Sequence, residues 1–309
     1  MKKFLVLLAA ILLAGLLAAC GSSDEEGSSD DGGSEGLNPD KIVMGFVPSQ
    51  DAETIATTVE PLAEELGEIL GKEVEARTMT NYNGLVEAMG AEQVHIGFIP
   101  AFGYVIANQE YDVEVILKSI RHGSSTYKAQ YLVRSDSGIE SLEDLEGKKW
   151  AYADATSTSG FLFPANQLMT EFDIESPDAL TTEFFGDTVQ VGSHDTAAIS
   201  VYDGDADVAT TFDDVRDNLE EEYPDIKDEL TVLDYTDEIP NDTISVISEL
   251  DDELVAEIKE AFLSFNDDEE MIGIMNDVYT WDAIDEAEHS EYEVVAETYE
   301  RFGDSVSLD

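Results

Sequence analysis

From Lys41 onward, apolar runs of strand length alternate with segments of helical periodicity, and this alternation confines the chain to an α/β fold. Residues 41–47 read as a buried strand closed by Pro48. Ile55, Val59, Leu62, Leu66 and Ile69 then recur at helical spacing across 51–70, up to Gly71. Strands are expected at 74–78, 94–99, 113–120 and 127–133, with a helix at 81–89. A second series carries strands at 150–153, 182–185, 208–211 and 231–235, and helices at 159–169, 194–202 and 214–223. After a strand at 243–247 the chain turns helical, at 251–265, 270–275 and 291–302. Such alternation predicts mainly parallel sheets. Passages between two lobes are expected near 131–135 and 241–247, so that 39–132 plus 244–309 form lobe 1 and 133–243 form lobe 2. A ligand would lie in the cleft between them, at the carboxyl ends of the strands.

Charge narrows the function. Seventy acidic side chains against fifteen basic ones leave a net charge of −55, which argues against any nucleic-acid partner, because phosphate backbones are held by clustered Lys and Arg. One cysteine and four scattered histidines provide neither a disulfide framework nor a metal-ligand spacing. No metal and no cofactor are expected.

The amino terminus reads as an address. Lys2 and Lys3 precede an apolar run from Phe4 to Ala19, which is a secretory signal pattern; at sixteen residues it is short for a spanning helix. Leu17-Ala18-Ala19-Cys20-Gly21 resembles a bacterial lipobox, which implies cleavage after residue 19 and acylation of Cys20. Gly21 to Gly36 holds only Gly, Ser, Asp and Glu and cannot bury apolar surface, so 20–38 is expected to be a lipidated Cys and a solvated linker, its sixteen-residue Gly/Ser/acidic stretch about 20–24 Å long. Loss of Lys2 and Lys3 makes the mature charge −57. A concentrated-salt habitat, where charge is screened within about 3 Å at 1 M, or an alkaline one would each suit such acidity.

The strongest local feature is Asp154-Ala155-Thr156-Ser157-Thr158-Ser159-Gly160-Phe161-Leu162-Phe163-Pro164, where a strand runs through hydroxyl residues into a helix. Helix-initial N–H groups are unpaired and the helix dipole is positive there, so three hydroxyls at 157–159 suit an anion cradle without a basic residue. An ordinary helix cap needs only one of them, and both readings stand on these residues alone. Gly192-Ser193-His194-Asp195 is a second strand-to-helix junction, where His194 either donates to an anion or packs locally.

With Thr80-Asn81-Tyr82, the 123–127 segment and Ile239-Pro240-Asn241-Asp242, these motifs are similar to those of the phosphate/phosphite/phosphonate-binding proteins of ABC importers, over residues 41–282. The resemblance implies a two-lobed type II periplasmic-binding-protein fold with the ligand in the inter-lobe cleft. It also implies a monomer, held at the outer face of the cell membrane by Cys20, that delivers a small phosphorus oxyanion to an ABC permease. Position by position, it implies Ser157, Thr158 and Ser159 on the phosphonyl oxygens, helped by Tyr82, Tyr127 and His194. Asp214 and Asp242 would meet the ligand's polar tail. An ionised carboxylate only accepts hydrogen bonds, so these aspartates imply either an ammonium on an aminoalkyl tail or a P–OH on the head. Two positions depart from the family pattern: His95 in place of an acid, and the loop Phe98-Ile99-Pro100-Ala101 without glycine.

Two other functions compete. A same-fold protein for another anion, such as a sulfonate, needs the same hydroxyls. An extracellular hydrolase would use Ser157 with His194, although Ser157 does not sit in a G-x-S-x-G elbow. The anchor has its own test: Cys20→Ser is expected to abolish incorporation of a labelled fatty acid, and label retained on the variant would refute acylation at that thiol.

Overall fold

A computed structural model describes residues 36–50 and 52–302. The expected signal sequence, Cys20 and most of the expected linker lie outside the described residues. The linker ends earlier than residue 38, because Leu37 is already docked: its N–H donates to the Glu249 carbonyl at 2.6 Å and its carbonyl accepts from Asp251 at 2.9 Å.

Among the described residues, eleven strands form two sheets. β1 (Lys41–Phe46), β2 (Glu73–Thr78), β3 (Ile96–Ile99), β4 (Glu114–Ile120), β10 (Thr243–Val246) and β11 (Ala283–Glu286) make the first, in the order β11-β4-β10-β3-β1-β2. The second is β7-β6-β8-β5-β9, from β5 (Thr126–Arg134), β6 (Lys149–Tyr152), β7 (Asp187–Gln190), β8 (Val208–Phe212) and β9 (Leu230–Pro240). The apolar runs of β1, β3, β8 and β10 are buried along nearly their whole length, as strands covered by helices on both faces must be.

The sheets are less parallel than the alternation predicts. Four pairings among the described strands are parallel and five antiparallel. The difference lies with the strands that carry the chain between sheets: β5 enters the second sheet against β8, and β10 returns into the first against β3 and β4. The first passage also falls earlier than expected. The chain leaves the first sheet after Ile120 and all of β5 belongs to the second, so the passage is 121–125 rather than 131–135. The return is at Asn241-Asp242. Asn241, fully buried, ties the two passages together by donating to the carbonyls of Ser119 at 3.0 Å and Ser124 at 2.8 Å.

Several elements differ from the sequence reading for local reasons. Residues 182–185 favour a strand by β-branched Thr182 and the aromatic pair Phe184-Phe185, but Ser176 caps the Ala179 N–H and Pro177 starts a helical turn that runs on through Leu180–Phe184. The helix Ala101–Tyr111 was not anticipated, because its residues 101–107 are all buried and an all-apolar turn carries no 3.6-residue signal. The expected single helix at 51–70 is two, Ala52–Thr58 and Glu60–Leu70, divided where Pro61 has no N–H to continue the ladder. The expected helix at 214–223 is reduced to Val215–Leu219.

One core contact matters for the site. Trp150 of β6 is fully buried, its ring stacked 5.4 Å from Phe161 and 4.9 Å from Phe185, with Nε1 donating to Thr210 at 2.8 Å. Phe161 belongs to the turn that carries the hydroxyl motif, so this stack presses the motif onto the sheet. Trp150→Ala is expected to cost about 3–5 kcal/mol, read as a lowered denaturant midpoint.

Candidate anion-binding site

The hydroxyl motif forms as the strand-to-helix reading requires. Ser157 is the cap of the turn Thr158–Leu162, which leads into the helix Phe163–Glu171, and its Oγ accepts from the Gly160 N–H at 3.0 Å. Buried Asp154 holds the approach, accepting from the N–H and hydroxyl of Thr156 at 2.9 and 2.7 Å and from Gln190 at 3.0 Å. The turn's first amides face the same end of the helix as the Ser157 and Ser159 side chains, which concentrates donors and positive dipole.

Other elements converge on that end. Tyr82 is the first residue of the helix Tyr82–Gly90, set by its cap Asn81, whose Oδ1 accepts from Gly84 at 2.6 Å. Its hydroxyl is buried and has no hydrogen-bond partner among the described residues. Tyr127 of β5 shares a hydrogen bond with Ser159. His194 opens the helix His194–Tyr202 behind its cap Ser193 and is 3% exposed. Its Nε2 lies 3.2 Å from Ser157 Oγ, and its Nδ1 has no partner among the described residues. Burial, and secondarily the Arg121 guanidinium, push its pKa down to about 3. The ring is therefore neutral at physiological pH, with one N–H to give.

Together with Asp242, Tyr279, Ser49 and Pro100, these groups line a cavity of about 30 Å³ between the two sheets. One water needs about 10–15 Å³, so the space suits a group of a few heavy atoms. Two hydrogen bonds close the cleft around it: the His194 N–H donates to the Ser49 carbonyl at 3.0 Å, and the Phe102 N–H to the Thr158 hydroxyl at 2.9 Å.

Six of the expected residues line the cavity: Tyr82, Tyr127, Ser157, Ser159, His194 and Asp242. Two do not. Thr158 is fully buried and its hydroxyl serves the contact with Phe102. Asp214 stands behind the cavity wall, with one carboxylate oxygen 2.5 Å from the Arg121 guanidinium and the other 2.8 Å from His122 Nε2.

Arg121 itself was missed, and the expectation of a cradle without a basic residue is corrected by it. It lines the cavity, is 7% exposed, and has its guanidinium 5.5 Å from the Tyr127 ring centre and 5.1 Å from that of Phe212. Its backbone begins the turn into β5. Arg121 and Ser124 exchange both N–H···O bonds across His122 (φ 50°) and Gly123 (φ 75°), a turn that needs left-handed backbone at both central residues. The sequence signal was Arg-His-Gly immediately before the tyrosine motif. His95, the departure from pattern, is structural: its Nδ1 accepts from the Val43 N–H at 2.9 Å.

Asp242 is the carboxylate left facing the cavity. Burial raises its pKa to about 6, against a lowering influence of Arg121.

Two sheets joined by two passages around a buried polar cavity define the class of the periplasmic binding proteins. The fold is shared with a binding protein component of an ABC phosphonate transporter from Pseudomonas aeruginosa, at TM-score 0.75 and 21% identity over 84% of this chain and 85% of that one. It is shared also with PhnD1 of Prochlorococcus marinus in complex with methylphosphonate, at TM-score 0.74 and 18% identity over 85% and 98%. A phosphate-import protein of Mycolicibacterium smegmatis is 28% identical over 230 residues, 72% of this chain and 71% of its own length. Residues 44–292 match the family model described as ABC transporter, phosphonate, periplasmic substrate-binding protein, and the chain belongs to that family.

The neutral state of His194 is testable. Its folded pKa lies below the unfolded value, so the unfolded state takes up the proton first and stability falls as pH drops from about 6.5 toward 3. His194→Asn is expected to flatten that part of the acid-unfolding profile, and in NMR the wild-type ring should not titrate between pH 5 and 8.

Proposed function

We propose that this cavity binds the tetrahedral head of a small phosphorus oxyanion (phosphonate, phosphite or phosphate) and that the chain hands it to the permease of an ABC importer. The observation that carries the reading is the convergence of Ser157, Ser159, Tyr82, Tyr127 and neutral His194 with one buried guanidinium, Arg121, on a space of about 30 Å³. These are donors from several directions around a volume that suits one tetrahedral group. Hydrogen bonds to an ionised group are each worth about 1.5–3 kcal/mol, which offsets dehydration of the ion. A lipid on Cys20 and the acidic linker would hold the protein beside its permease, and its acidic surface would suit salt-screened surroundings.

Asp242 belongs to the selection of the ion. Ionised, it only accepts and repels a fully deprotonated anion; a P–OH can donate to it, whereas sulfate at neutral pH cannot. Its burial carries a stability penalty that grows as pH rises from about 4 to 6, since the unfolded carboxyl ionises first.

The Ser157–His194 contact does not support hydrolysis. A ring with its pKa pushed down to about 3 is a poor base for a serine proton near neutral pH, and its Nδ1 has no orienting group among the described residues.

Calorimetric titration with methylphosphonate, phosphite, phosphate and sulfate tests the reading. At least one phosphorus oxyanion should bind about a hundredfold more tightly than sulfate, a gap of about 2.7 kcal/mol. Ser157→Ala with Ser159→Ala should weaken that binding by about a hundredfold or more, and Asp242→Asn should narrow the gap to sulfate. Binding of none of the three phosphorus ions refutes the proposal.

A further inference from the structure

The two aspartates expected at a ligand's tail are not equivalent in the fold. Asp242 faces the cavity. Asp214 has both carboxylate oxygens engaged within the protein, one by Arg121 and one by His122, and the guanidinium lies between that carboxylate and the cavity. Arg121 is not free to withdraw. Its backbone is fixed by the turn through His122 and Gly123, its head is set against the rings of Tyr127 and Phe212, and its side chain is 8% exposed. A cationic tail seeking Asp214 would meet the protein's own cation in its path.

We infer that Arg121 is the residue that sets ligand specificity, by holding its guanidinium in the space, and against the Asp214 carboxylate, that an aminoalkyl tail would otherwise reach. The inference rests on the reading that the cavity binds a phosphorus oxyanion, and it narrows the ligand to heads with no tail or a single carbon, such as phosphite, phosphate and methylphosphonate. Two effects act together. Beside a tetrahedral head the cavity of about 30 Å³ leaves little space for a chain of carbons, and the guanidinium forms one of its walls. An ammonium placed there would also sit against a guanidinium in a poorly solvated site, where like charges repel strongly. The anion head gains from the same residue, which keeps N–H groups beyond those given to Asp214.

Calorimetry on the mature protein with methylphosphonate, propylphosphonate and 2-aminoethylphosphonate decides it. Wild type is expected to bind methylphosphonate about a hundredfold or more tightly than either longer ligand. In Arg121→Ala the ratio of aminoethyl to methyl affinity should rise about tenfold or more, with a smaller rise for propylphosphonate, because the variant frees a carboxylate as well as a volume. Adding Asp214→Asn should remove the extra gain of the amine and keep that of the propyl group. Wild-type affinity for 2-aminoethylphosphonate within about threefold of that for methylphosphonate overturns the inference, as does an unchanged ratio in folded Arg121→Ala. If the variant does not fold by circular dichroism, the wild-type series decides alone: a steep loss from methyl to propyl and aminoethyl supports tail exclusion, and a flat series overturns it. Failure of wild type to bind any phosphorus oxyanion instead refutes the functional reading on which this one stands.

Discussion

The buried pair of Arg121 and Asp214 joins the chain's passage between sheets to the end of β8 and to the wall of the cavity. An ion pair so buried is weak evidence of stability, since dehydrating both partners offsets much of their attraction; removing one partner, however, strands the other. Here the pair is supported by two aromatic rings on the cation and by His122 on the anion. Its consequence is geometric. It fixes a positive charge at one place in a molecule whose sequence is overwhelmingly negative, and the neutral donors are arranged around that place.

Those donors are neutral for a physical reason. The cavity is dry enough to hold His194 uncharged, to raise the tyrosine hydroxyls well above their ordinary range and to lift Asp242 toward neutral pH. Desolvation, the largest cause of each shift, disfavours every charge except one compensated at close range. A site of this kind suits a small oxyanion with several acceptor oxygens, because hydroxyls, amides and a single guanidinium strengthen as water is excluded. The bonds that close the cleft, His194 to Ser49 and Phe102 to Thr158, come from the same helix ends that supply the donors. In the proposed reading, closure and ligand contact would therefore depend on the same short segments.

Much of this was legible in the chain itself. Alternating strand runs and helical periodicities determined the α/β class, because a period of 2 or 3.6 is imposed by backbone geometry before any tertiary contact forms. The run 157–163 and Ser193-His194 determined two helix starts rich in donors, since capping is local chemistry. Only the tertiary structure decided which hydroxyls face the cavity: Ser157 and Ser159 do, while Thr158 between them turns to the Phe102 amide. Only it placed Arg121, which lies 93 positions from Asp214 in the chain and is brought to it by the pairing of β5 with β8. The parallel and antiparallel balance of the sheets was settled in the same way, by where the two passages fall. Periodicity is a property of one segment, whereas a side chain's partner across a cleft depends on how distant segments are packed, and the order of residues does not contain that distance.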